Sequence, residues 1–150
     1  MACGVHFTLS TFTFTLFSMT DTQTILFGSD PTERIVAVET LQDKAIIFIR
    51  EKDGVRTERR PFSPWLVTPE RYDLSGATWT ELEGDGYKYL AQFPNIGAYR
   101  AARFKLRDEH VSHLAVPSEV KQYLMASGQT LFKGMSYSDV HRLQLDIETL

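Results

Sequence analysis

Asp146 and Glu148 stand two residues apart in the segment HRLQLDIETL, residues 141–150. Its apolar residues alternate, which predicts a short strand, and side chains two apart in a strand share a face. Leu143, Leu145 and Ile147 then point one way, and Arg142, Gln144, Asp146 and Glu148 the other. Two carboxylates at neighbouring positions on one face can hold a hard divalent cation between them. Mg²⁺ and Mn²⁺ prefer such oxygen ligands. Asp146 and Glu148 are therefore the candidate catalytic and metal-binding pair. The alternative is a pair of ordinary exposed acids on an edge strand, and a D-x-E tripeptide alone does not separate the two.

A second candidate group is cationic. Arg100, Arg103 and Arg107 recur at helical spacing and form a stripe able to track a phosphate backbone by releasing counterions. A solvated helix face is the more ordinary reading of the same stripe. Arg56, Arg59 and Arg60 are offset by Glu51, Asp53 and Glu58 and read as surface. His6, His110, His113 and His141 show no spacing that completes a ligand set, and they too read as surface residues. Gly84-Asp85-Gly86 lacks the G-x-G-x-x-G pattern and strand-to-helix setting of a phosphate loop. There is no G-x-S-x-G nucleophile motif.

These groups must be positioned by a mixed set of elements. TILFG, RIVAVETL and KAIIFIRE are rich in β-branched and aromatic residues, and Asp53-Gly54 marks a hairpin before VRTERR. Pro61, Pro64 and Pro69 punctuate the return segment around Trp65, Leu66 and Val67, so an antiparallel sheet is expected over residues 24–68. A polar stretch with Gly76, Gly84 and Gly86 follows. A helix is expected from near Pro94, with Tyr99, Ala102 and Leu106 on its apolar face. A second runs from about Pro117 to Ser127, with Val120, Tyr123 and Leu124 as its stripe and Gly128 as its cap.

At 150 residues, 43% hydrophobic and 23% charged, the chain has the composition of a globular domain. A net charge of -3 neither requires nor excludes a nucleic-acid partner. The single cysteine, Cys3, rules out a disulfide framework and a thiolate zinc site, which fits a reducing, cytoplasmic setting. Residues 1–18 alternate Thr or Ser with Phe and Leu and carry no Asp, Glu, Lys or Arg. They are too polar for a membrane span and lack the cationic start of a secretory signal. They are expected to be an over-extended or disordered start, with translation beginning at Met19.

The stretch VPSEVKQYLMASGQTLFKGMSYSDVHRLQLDIETL resembles the approach to the 3′→5′ exonuclease domain of family-B DNA polymerases. In that family a helix ending in a pattern like K-x-Y-L-x-x-x-G precedes a linker and a strand carrying D-I-E-T. Here Lys121, Tyr123, Leu124 and Gly128 stand in that arrangement, followed by Asp146-Ile147-Glu148-Thr149. Helix, glycine, linker and motif occur together in order, and the upstream hairpin and PFSPWLV segment are compatible with the family's β-rich opening domain.

The resemblance implies an α+β fold: a β-rich amino-terminal domain over residues 19–115, then, over 116–150, a connector helix, a linker and the first strand of a truncated ribonuclease-H-like exonuclease domain. It implies a parent protein that binds DNA as a single-stranded 3′ end or primer-template. It further implies Mg²⁺ or Mn²⁺ at Asp146 and Glu148, with Asp146 binding the ions and Glu148 orienting the attacking water. Two-metal phosphodiester hydrolysis places its ions about 3.5–4 Å apart. Two carboxylates cannot fix that geometry alone, so this chain is expected to be catalytically silent, the remaining motifs lying downstream in the family. A polymerase-lacking exonuclease with the same opening domain, or a freestanding nucleic-acid- or protein-binding module, are the alternatives.

Overall fold

A computed structural model of the chain describes residues 28–140. The β-branched runs form β1 (Ile35–Leu41) and β2 (Lys44–Glu51), which pair antiparallel with β3 (Gly54–Pro61) in the order β1-β2-β3. Alternation buries Ala45, Ile47 and Ile49 on one face of β2. In β1 the buried residues are Ile35 and Val38, three apart. A bulge between Ile35 and Ala37 permits this, because one extra residue shifts the alternation to the other parity. The expected hairpin is present, but its two-residue loop is Lys52-Asp53, with Glu51 facing Gly54 across the strands. Gly54 is not in the left-handed region.

The sheet expected over residues 24–68 is two sheets. Leu66 and Val67 belong to β4 (Trp65–Thr68), which joins β5 (Thr78–Glu81) and β6 (Tyr89–Gln92) in the order β4-β6-β5. The stretch read as a polar connection therefore holds two strands of four residues each. Gly84-Asp85-Gly86 lies in the loop between them. Residues 24–27 of the segment TILFG and residues 1–18 fall outside the described residues, as does the strand expected to carry Asp146 and Glu148.

Two helices cover the sheets. In α1 (Ile96–Asp108) the Asn95 side chain accepts from the Ala98 N–H at 2.9 Å, satisfying an orphan donor of the first turn. Tyr99, Ala102 and Leu106 are buried, as their spacing predicts. In α2 (Glu119–Ser127) the cap is Ser118, so Pro117 precedes the helix instead of entering its first turn. Gly128 ends α2 in the left-handed conformation, φ 67°.

Two apolar clusters result. Ile35, Val38, Ile47, Ile49 and Phe62 of the first sheet region meet Ile96 and Tyr123, with Val120 and Leu124 packed alongside. Leu66, Ala91 and Phe93 meet the inner face of α1. Gln122, fully buried, ties the parts together. Its Oε1 accepts from the Trp65 N–H at 2.9 Å, and its Nε2 donates to the Tyr99 hydroxyl at 2.6 Å and the Val116 carbonyl at 2.9 Å.

The linker after α2 is ordered against the start of β1. Asp30 N–H donates to the Gly128 carbonyl at 3.1 Å, Arg34 N–H to Lys133 at 2.8 Å, and Phe132 N–H to Ile35 at 2.8 Å. A Cβ on Gly28 would collide with the Gly128 carbonyl, so the two segments touch backbone to backbone.

Candidate nucleic-acid interface

Because Tyr99, Ala102 and Leu106 point inward, the helical repeat turns Arg100, Arg103, Phe104 and Arg107 outward. With His113 they line a cleft of about 280 Å³. The three arginines singled out from the sequence thus share one wall. Phe104, which the sequence did not single out, stands among them with 60% of its surface exposed.

Each guanidinium is held differently. Arg103 lies over the buried Tyr99 ring, 5.5 Å from its centroid, and Arg107 over Phe104 at 5.0 Å. Both distances are within cation–π range. Arg100 donates from Nε and Nη2 to one oxygen of Glu119, at 3.2 and 2.9 Å. Burial opposes ionisation of Glu119, but the N–H at the start of α2, Arg100 and Arg103 outweigh it and hold the carboxyl below its ordinary value. Glu119 thus stays charged and offsets part of Arg100. Arg103 and Arg107 rest on rings that carry no formal charge, and Arg107 has no carboxylate among the residues lining the cleft.

His113, read from the sequence as a surface residue, lines the cleft. It is half-buried in the cleft wall, and its Nδ1 lies 2.9 Å from the Val111 carbonyl. Two backbone hydrogen bonds put it there: Val67 N–H to Leu114 at 3.0 Å and Leu114 N–H to Val67 at 2.9 Å. They clip the segment after α1 onto β4 and fold it back beside the helix. A single bridge of this kind leaves no pattern in sequence, which is why His113 was missed. His110 is exposed and is not among the residues lining the cleft.

Lys105 is turned away from the arginines, donating to the Asp73 carbonyl at 2.7 Å. The other arginine cluster behaves as surface. Arg56 pairs with Glu51 at 2.8 Å and with Glu58, and Arg60 pairs with Glu58 at 2.9 Å.

Asp146 and Glu148 lie outside the described residues, and so does His141. Among the described residues no group of three or more His, Cys, Asp or Glu side chains could hold a metal ion. Among them, too, no helix is long and apolar enough to cross a membrane. Comparison with protein-family models, curated proteins and solved structures finds no match.

Proposed function

We propose that this chain is a nucleic-acid-binding α+β module, the amino-terminal region of a family-B DNA polymerase with 3′→5′ exonuclease activity. The observation that carries the binding part is the cleft of α1, where Arg100, Arg103 and Arg107 surround an exposed phenyl ring. Guanidinium groups neutralise phosphates, and an exposed aromatic offers a face on which a base can stack. The polymerase part rests on the sequence resemblance of residues 116–150. In that reading the strand bearing Asp146 and Glu148 opens a ribonuclease-H-like domain, and the pair would hold Mg²⁺ or Mn²⁺. The ions would supply the hydroxide and stabilise the leaving oxygen.

The test is fluorescence anisotropy of a labelled single-stranded oligonucleotide titrated with the chain over a range of salt. Arg103→Gln and Arg107→Gln should each weaken binding. Each should also flatten the plot of log affinity against log salt by about 0.7 for every phosphate that is no longer neutralised. Affinity and slope unchanged in the double variant would refute the cleft as the interface. For the metal-dependent part, the chain incubated with Mg²⁺ or Mn²⁺ should leave the oligonucleotide intact. Degradation that disappears in Asp146→Ala/Glu148→Ala would show that the chain is catalytic by itself, contrary to this reading.

A further inference from the structure

A second basic cleft, of about 620 Å³, opens between the start of β1, the end of β2 and the short 3-10 turn Tyr137–Asp139. It is lined by Arg34, Arg50, Glu51, Lys52, Ser138 and Asp139. Arg34 is unusual in its backbone, with φ 61° in the left-handed region that non-glycine residues rarely adopt. Such strain persists only where neighbouring structure over-determines it, and it gathers at ligand clamps. Here the Arg34 N–H is fixed by the Lys133 carbonyl at 2.8 Å, and its Nε by the Arg50 carbonyl at 3.2 Å. The guanidinium is thereby aimed into the cleft.

The acids of the cleft are already engaged. Glu51 accepts from Arg56 at 2.8 Å. Asp139 gives Oδ2 to the Ser136 N–H and hydroxyl, at 2.8 and 2.7 Å. Only its Oδ1 reaches Arg34, at 3.4 Å, in a pair whose side chains are about one-third exposed (35% and 34%). Asp139 can therefore release Arg34 while keeping both bonds to Ser136. A partly exposed ion pair of this length is weak and easily displaced.

We propose that this cleft is a phosphate-binding site, in which a phosphate group replaces Asp139 Oδ1 on Arg34 and takes further donors from Lys52. A guanidinium and an ammonium around one anion match the several acceptor oxygens of a phosphate. The phosphate can belong to a free anion or to a nucleic-acid backbone. The site stands on geometry separate from the α1 cleft and does not depend on the role given to that cleft.

Inorganic pyrophosphate is the probe, titrated into the full chain by isothermal calorimetry. Asp139→Asn removes the competing charge and keeps an acceptor for Ser136. It should tighten binding about two- to fivefold, the worth of a partly exposed ion pair. Lys52→Gln, at an exposed turn position, should weaken binding by a similar factor. No detectable pyrophosphate binding, or Asp139→Asn binding no tighter than the parent chain, overturns the proposal. A misfolded variant would lose affinity, so a gain cannot arise from misfolding. Competition by a single-stranded oligonucleotide in the Arg103→Gln/Arg107→Gln background identifies a backbone phosphate as the ligand. Retained pyrophosphate binding without competition identifies a free phosphate.

Discussion

The amide of Gln122 donates to the hydroxyl of Tyr99 across 2.6 Å, with both side chains fully buried. This bond joins the two helices at the point where the two apolar clusters meet. The same amide satisfies the backbone of Trp65 and of Val116, so one side chain serves three segments. Gln122→Leu keeps the volume but strands the Trp65 N–H, the Tyr99 hydroxyl and the Val116 carbonyl. It should cost about 3 kcal/mol in urea melts, since each buried unsatisfied group costs about 1–3 kcal/mol. Adding Tyr99→Phe should recover part of that loss, because one of the stranded groups is then gone. Fully additive losses would show that the pair is not coupled.

Leu124 packs beside Val120 against the cluster containing Tyr123. Leu124→Asp places a carboxylate on that stripe and should lower stability by about 2–3 kcal/mol. An unchanged denaturation midpoint would mean that α2 is not docked.

Phe104 makes its case at the surface. Phe104→Ala should leave the thermal midpoint nearly unchanged, because the ring is 60% exposed. Its effect should fall on single-stranded oligonucleotide binding, weakened by about 1–3 kcal/mol if a base stacks there. The reverse pattern, lost stability with intact binding, would assign Phe104 to packing.

Acid should loosen the junction of the linker with β1. Burial opposes the charged form of Asp30, but hydrogen bonds from Thr32 and the charge of Arg60 outweigh it and hold the carboxyl below its ordinary value. The Thr32 N–H donates at 2.8 Å and Arg60 lies at 3.5 Å. A depressed folded value means that the stabilisation is fully present above the unfolded carboxylate range, about pH 4. It declines as pH falls from there through the lower folded value. Asp30→Asn should flatten this part of the stability profile, measured by urea midpoints from neutral pH to strong acid. An identical slope in the variant would remove Asp30 from the account.

Much of the fold was legible because it follows from period. The β2 pattern and the Tyr99-Ala102-Leu106 stripe are burial rules written directly in the chain, and Gly128 marked the end of α2. The second sheet was not legible. Thr78–Glu81 and Tyr89–Gln92 are only four residues each; Tyr89–Gln92 pairs with β4 and Thr78–Glu81 with Tyr89–Gln92, so the sheet hangs on a contact with β4 that local residue preference does not encode. Likewise Pro61 and Pro64 signalled a break, but not that the chain leaves one sheet for another. The arginine stripe was readable as spacing. That His113 completes its cleft depends on the Leu114–Val67 bridge, and that Gln122 is a buried hub depends on Trp65 and Tyr99, which are distant in the chain.

The contact between the segment around Asp30 and the linker after α2 joins residues 103 apart in the chain, as in the Lys133 ammonium donating to the Asp30 carbonyl at 2.9 Å. During synthesis the β1-β2-β3 hairpins can form as soon as they emerge, yet Ile35 must wait for Phe132 before its carbonyl is paired. Closing so long a loop is entropically slow, and pairings of this separation raise contact order and lengthen folding times. Until the linker arrives, the nascent chain carries an unfinished strand edge available to a neighbouring copy. Docking of the linker is therefore the step that closes the edge at the start of β1.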